Sequence, residues 1–196
     1  GSGIMADRLA GENAATALLA NAFATGAALA VLIAVLGPIS GAHFNPAVSL
    51  AAAVWGDLTW TTAIVRAVLQ VGGAVAGIAV AHVMFALPLL QLGTGMRTGP
   101  ALWFSEIVAT CGLLVVVRLG APSQAPALVS LYIVSAYWFT ASTSFANPAV
   151  TIARSLTATF TGIRPTDVWP FIASQAAGTA AAILLVRWLR DEETDS

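Results

Sequence analysis

The tetrapeptide Asn-Pro-Ala-Val occurs twice, at 45–48 and at 147–150, in a chain that is otherwise overwhelmingly apolar. Asn is a favoured helix N-cap, and Pro suits the first helical position, where its missing N–H would be unpaired anyway. Asn45-Pro46 and Asn147-Pro148 therefore each read as a helix start. The apolar runs that follow, Pro46–Trp55 and Pro148–Phe160, are too short to cross a bilayer, which takes ~20 helical residues. At membrane depth such irregular backbone survives only when buried in protein or lining a water-filled cavity. Two re-entrant half-helices satisfy that condition, whereas interfacial helices leave the duplication unexplained.

Five longer apolar segments surround these runs, near Ala14–Leu36, Thr59–Leu87, Ala101–Leu119, Pro126–Ala141 and Val168–Leu189, divided by clusters such as "GPISG", "LGTGMRTGP" and "TGIRP". Of 196 residues, 58% are hydrophobic and only 9% are charged. A soluble domain carries roughly 25% charged residues, so this chain has too little polar side chain to coat a surface in water. It reads as an all-α membrane protein in the lipid bilayer. A net charge of −1 offers no basic patch for nucleic acid, and the single Cys111 excludes a disulfide framework or a cysteine metal site. No phosphate loop, catalytic triad, metal cluster or cofactor motif is visible.

The duplication reaches beyond the tetrapeptide. "NPAVSLA" matches "NPAVTIA", and the stretch 70–77 in the second segment echoes 175–182 in the last, each opening on Gln and rich in small residues. Internal symmetry of this kind marks inverted repeats, here 1–88 and 101–190 in a single domain, with an acidic, disordered tail at 191–196. The small residues read as helix–helix packing. Half-helices entering from opposite faces meet at the midplane with their positive dipole ends together. Each Asn oxygen caps its own helix and leaves the NH₂ group to donate into a pore, an arrangement that favours neutral, oxygen-bearing solutes and opposes protons and cations.

Two such motifs in two similar halves, with "SGAHFNPAV" at the first, resemble the major intrinsic protein family of aquaporins and aquaglyceroporins, over essentially the whole chain. The resemblance implies six spans plus two half-helices, a pore in each subunit, a homotetramer in the cell (plasma or inner) membrane, and passive flow without a cofactor. The family pattern has one more span than the five found, and "GSGIMA" resembles the tail of its first helix. The chain is thus expected to begin there, as a fragment or from a misplaced start. Glu106, in "WFSEIVAT", is similar to the family's buried Glu that props the second loop. The corresponding prop for the first loop would lie upstream of Gly1, leaving the first half-helix without its brace.

Most family members place an Arg directly after the second motif. Here that position is Val150, and the family's spacing puts the other constriction positions at Thr25, Ser135 and Ser144. All are small, so the resemblance implies a constriction wider than a water-selective one. Together with "ANPAVTIARSL" and "YWFTASTSFANPAV", the Val resembles a bacterial subgroup associated with arsenical permeation. Glycerol-like polyols and trihydroxy metalloid acids such as arsenite are the expected solutes, with water passing incidentally. A water-selective channel is the alternative, and a secondary transporter a more distant one.

Arg154 lies one turn beyond Val150, on the same helix face. It either faces the outer mouth or pairs with loop carbonyls or the lipid interface. His43 is expected in the inner vestibule, as scaffold or as a pH-responsive group. Glu106 reads as a loop brace rather than a proton relay, because its span holds no second acid or His. With termini inside, as the family implies, Arg66, Arg118, Arg187 and Arg190 fall on one face, and Arg8, Arg97 and Arg164 on the other.

Overall fold

The computed structural model describes the backbone of residues 1–194 and the side chains of residues 1–190. The tail 191–196 is expected from the sequence to be disordered, but α8 continues as helix to Thr194; residues 195–196 lie outside the described ones. Eight α-helices make up the described chain: α1 (Ser2–Ala10), α2 (Ala14–Ser40), α3 (Pro46–Val54), α4 (Trp60–Met84), α5 (Pro100–Leu119), α6 (Ala125–Phe139), α7 (Pro148–Arg154) and α8 (Pro165–Thr194). A short 3-10 turn, Pro122–Gln124, leads into α6. No strand occurs among the described residues.

Four helices, α2, α4, α5 and α8, are long and apolar enough to cross a membrane. The fifth expected span, α6, is 15 residues, about 22 Å at 1.5 Å per residue. It stops at Phe139 because the chain must leave the helix to reach Asn147 through a loop with positive φ at Thr143, Ser144 and Ala146. Both helix starts fall where the motifs put them. Asn45 Oδ1 accepts from the Ala47 N–H, Asn147 Oδ1 accepts from Ala149 and Val150, and a Pro occupies the first turn of each helix. The second run was expected to reach Phe160, but α7 ends at Arg154. The segment after it is claimed by the loop before α5: Gly93 N–H donates to Ser155 O, and Arg164 N–H to Gly95 O.

The half-helices are the buried centre. Seven of the nine α3 residues are buried, whereas α4 buries only Ala63, Ala81 and His82. Val48 and Ala51 pack on Leu114 of α5 and Ala182 of α8, while Phe145, Ile163, Val168 and Phe171 form a second core beside α7. Outward faces carry exposed Leu, Val, Ile and Phe, as lipid requires. Trp60, Trp169 and Trp188 are more than half exposed near helix ends, where an aromatic belt would sit.

The halves differ in packing. Gly178 brings α8 against α5 so closely that a Cβ there would meet the Ile107 carbonyl oxygen at 2.5 Å. In the matching stretch of α4, Gly72, Gly73 and Gly77 have nothing within 4 Å of such a Cβ. The packing reading thus holds for the second copy and not for the first within this chain. Gly178→Ala is expected to destabilise by about 1–3 kcal/mol through backbone displacement. Gly73→Ala is expected to be neutral, or to gain up to ~1 kcal/mol of helix propensity. Thermal unfolding of the two variants in detergent distinguishes them.

Candidate functional site

The loops before α3 and α7 have the same backbone. Residues three and one before each Asn hold positive φ: Ala42 (46°) and Phe44 (48°) in the first loop, Ser144 (48°) and Ala146 (46°) in the second. Non-glycine residues rarely adopt this conformation, so its recurrence at matching positions is a built feature. It turns carbonyls toward the opposite loop. Asn45 Nδ2 donates to Ala146 O at 2.7 Å, and Asn147 Nδ2 donates to Phe44 O at 2.9 Å. The asparagines therefore meet, as the motifs imply. One hydrogen of each NH₂ joins the two halves, so only the other remains for a solute, where both were expected to be free.

A brace fixes the second loop. Glu106, fully buried on α5, accepts from the N–H groups of Phe145 (2.9 Å) and Ala146 (2.8 Å) and from Gln175 Nε2 (2.7 Å). Gln175 also donates to Thr151 Oγ1 at 2.8 Å. Three donors thus converge on the one carboxylate, one on Oε1 and two on Oε2, and tie the loop to α5 and α8. The first loop has half of this network. Gln70 Nε2 donates to Ser49 Oγ at 3.0 Å, in the place of the Gln175–Thr151 pair, and Ser49 also bonds His43 Nδ1 at 3.1 Å. Among the described residues no carboxylate accepts from the His43 or Phe44 N–H; Gln70 Oε1, like Gln175 Oε1, is buried without a partner.

One cavity of about 490 Å³ runs past both asparagines. Its wall reaches from Val117 and Val129 to Thr157, Thr159 and Thr161 near the opposite face. Phe44, Ser144 and Ala146 lie on one side, and Leu29, Ile33 and Ile78 line apolar stretches elsewhere. Thr25, Ser144 and Val150 all line this cavity. Ser135 does not. Its side chain is exposed and donates to Tyr132 O at 2.8 Å. Tyr137 lines the cavity instead. At 100° per residue, two positions turn a side chain by about 200°, so a count off by two moves from the cavity to the lipid face.

Arg154 also lines the cavity. Its Nη2 donates to Tyr137 Oη at 3.1 Å, and its guanidinium lies 4.2 Å from the centre of the Phe145 ring. It thus faces the cavity and bonds a side chain there, with no hydrogen bond to a loop carbonyl among the described residues. Arg97, taken from the sequence as an ordinary loop charge, lies over the same ring at 4.9 Å and donates to Gly162 O and Ser142 O. Burial, then the charge of Arg154, push its pKa down to about 10 against upward pulls from Glu106 and Tyr137. It stays cationic at neutral pH. His82, silent in the sequence, is buried at this end. Its Nδ1 donates to Leu89 O at 3.1 Å, so in the neutral ring Nε2 accepts from Thr157 Oγ1 at 2.9 Å.

A second cavity of about 260 Å³ opens at the other end, between Arg66, Asp57 and Arg118, and shares His43 with the first. Arg118 pairs with Asp57 at 2.8 Å and lies over Trp55. The charges divide between faces as expected: Arg66 and Arg118 lie here, while Arg97 and Arg164 meet Asp167 at the opposite end.

Apolar spanning helices, two half-helices joined at their starts and a cavity threading between them define a multi-pass membrane channel. The sequence profile described as Major intrinsic protein matches residues 1–125. The chain is 54% identical over 192 residues to Aquaglyceroporin AqpS of Rhizobium meliloti (strain 1021), covering 96% of this chain and 82% of that protein. It is 38% identical over 118 residues to a probable TIP-type aquaporin of Medicago truncatula, covering 58% and 47%. It is 29% identical over 184 residues to Aquaporin NIP1-4 of Oryza sativa subsp. japonica, covering 89% and 67%. The chain belongs to the major intrinsic protein family. It is a passive channel for small neutral solutes and water rather than an enzyme.

Glu106→Ala removes the acceptor of three buried donors. At roughly 1–3 kcal/mol per orphaned group, a loss of about 3 kcal/mol or more is expected. Glu106→Gln, which keeps one carbonyl acceptor, is expected to lose less. Chemical unfolding in detergent gives the order.

Proposed function

We propose that this channel passes glycerol-like polyols and trihydroxy metalloid acids such as arsenite, with water following incidentally. The observation that carries the reading is the absence of any charged or aromatic side chain at position 150, immediately after the second motif. Val150 stands there, with Ser144 and Thr25 also on the cavity wall. A neutral, hydroxyl-bearing solute meets the remaining Asn45 and Asn147 N–H donors and the loop carbonyls on one side and aliphatic wall elsewhere. That combination suits a molecule with hydroxyls along one edge. The name of the Rhizobium relative, an aquaglyceroporin, supports this class. The reading extends to a homotetramer in the plasma or inner membrane, supported by membership of the family.

A water-selective channel is the second reading. It is favoured by Tyr137 and Arg154, which join across the mouth at 3.1 Å and reduce its width there. Stopped-flow light scattering on proteoliposomes separates the two. Glycerol and arsenite influx at least tenfold above empty vesicles is expected, and influx equal to empty vesicles with rapid water flow would favour the second reading. Val150→Arg is expected to cut glycerol flux at least fivefold more than water flux, in the same assay.

A further inference from the structure

With Val at position 150, no fixed cation stands directly after the second motif to add to the half-helix dipoles that oppose cations. Arg154 is four residues farther along α7, about 6 Å at 1.5 Å per residue, and still on the cavity wall. Two contacts hold its guanidinium there: the Tyr137 hydroxyl at 3.1 Å and the Phe145 ring at 4.2 Å. Phe145 is buried and is itself held edge-on by Phe171 at 5.2 Å. A guanidinium has five N–H donors, and its one side-chain hydrogen bond here uses the end that faces Tyr137.

No carboxylate neutralises this group. The ion pairs among the described residues are Arg118–Asp57 and Arg164–Asp167, neither of which includes Arg154. Arg97, on the same ring, adds a second positive charge nearby without lining the cavity. A fixed, uncompensated cation on the cavity wall repels any cation that must pass it, and low-dielectric walls strengthen the effect.

We propose that Arg154 is the charge-selecting residue of this conduit, set one helical turn outward from Val150, so that exclusion of cations and discrimination by solute size are performed at two separate layers. The inference rests on the channel reading above and adds a division of labour to it. Charge is judged first, at Arg154 and Tyr137. Size is judged deeper, at Val150 and Ser144, where no side-chain cation narrows the path. A solute too large for a constriction that combined both tasks can then pass while protons and K⁺ are still refused.

The test uses proteoliposomes of the full chain. Proton entry is followed with an internal pH dye, K⁺ entry with an internal K⁺-sensitive dye, and glycerol and water flux by light scattering on the same vesicles. Arg154→Gln is expected to raise cation leak at least tenfold while the glycerol-to-water flux ratio moves less than twofold. Arg154→Lys, which keeps the charge, is expected to hold the leak within about threefold of the parent. Val150→Leu is expected to do the reverse of Arg154→Gln: the glycerol-to-water ratio falls at least fivefold and the leak stays low. Leak in Arg154→Gln equal to the parent would overturn the proposal, as would a Val150→Leu channel that becomes leaky. If Arg154→Gln fails to fold, seen as loss of all flux, Arg154→Met, which also removes the charge, is read by the same criteria. A parent protein that passes no glycerol would instead reject the solute reading, and that outcome is read before any variant.

Discussion

The structure depends on an exchange of two hydrogen bonds. Each motif asparagine gives one amide hydrogen to the carbonyl that precedes the other's cap: Asn45 to Ala146 and Asn147 to Phe44. In water such bonds would be worth little, because solvent competes for both partners. Between apolar helices an unpaired amide or carbonyl is costly. Two helix starts that stand alone would each leave polar groups exposed to hydrocarbon. Joined, they satisfy one another and leave one hydrogen per asparagine beside the cavity. The left-handed residues 42, 44, 144 and 146 are what turn the carbonyls to make this possible.

The two halves share this device without being equally supported. In the second, Glu106 and Gln175 tie the loop to α5 and α8, and Gly178 lets those helices close on each other. In the first, Gln70 reaches Ser49 but no carboxylate among the described residues receives the loop N–H groups, and the glycines of α4 face open space. Rigidity is therefore concentrated around α7, the half-helix that also carries Val150 and Arg154. A fixed position for those side chains matters more to selection than rigidity at the opposite end.

Much of this was legible in the sequence because the motif signals are local. Asn-Pro at a helix start acts over a few residues, so both half-helices and both caps could be placed. Duplication then brought Asn45 and Asn147 together, and the buried acid at Glu106 signalled a brace. Cavity positions on long helices were harder. Thr25 lies on the cavity wall, while Ser135 is two residues out of phase with Tyr137, a slip that an apolar helix does nothing to expose because most of its positions look alike. The end of α7 was missed because it is set by hydrogen bonds to the 93–95 segment, far away in the chain. Arg97 and His82 were missed for a similar reason: their partners, Phe145 and Thr157, belong to the other half of the molecule.

The central claim is that the two half-helices meet inside the bilayer and present their starts to one conduit reached from opposite faces. Val48 and Val150 both line it, one beyond each asparagine, and Cys111 does not. With Cys111→Ala as background, Val48→Cys and Val150→Cys can be treated with a small, membrane-impermeant thiol reagent added to one face of the vesicles at a time, while glycerol flux is recorded. Block of each variant from one face only, and from opposite faces for the two, is the result that follows from the account. Block of both from the same face, or labelling that leaves flux untouched, would contradict it.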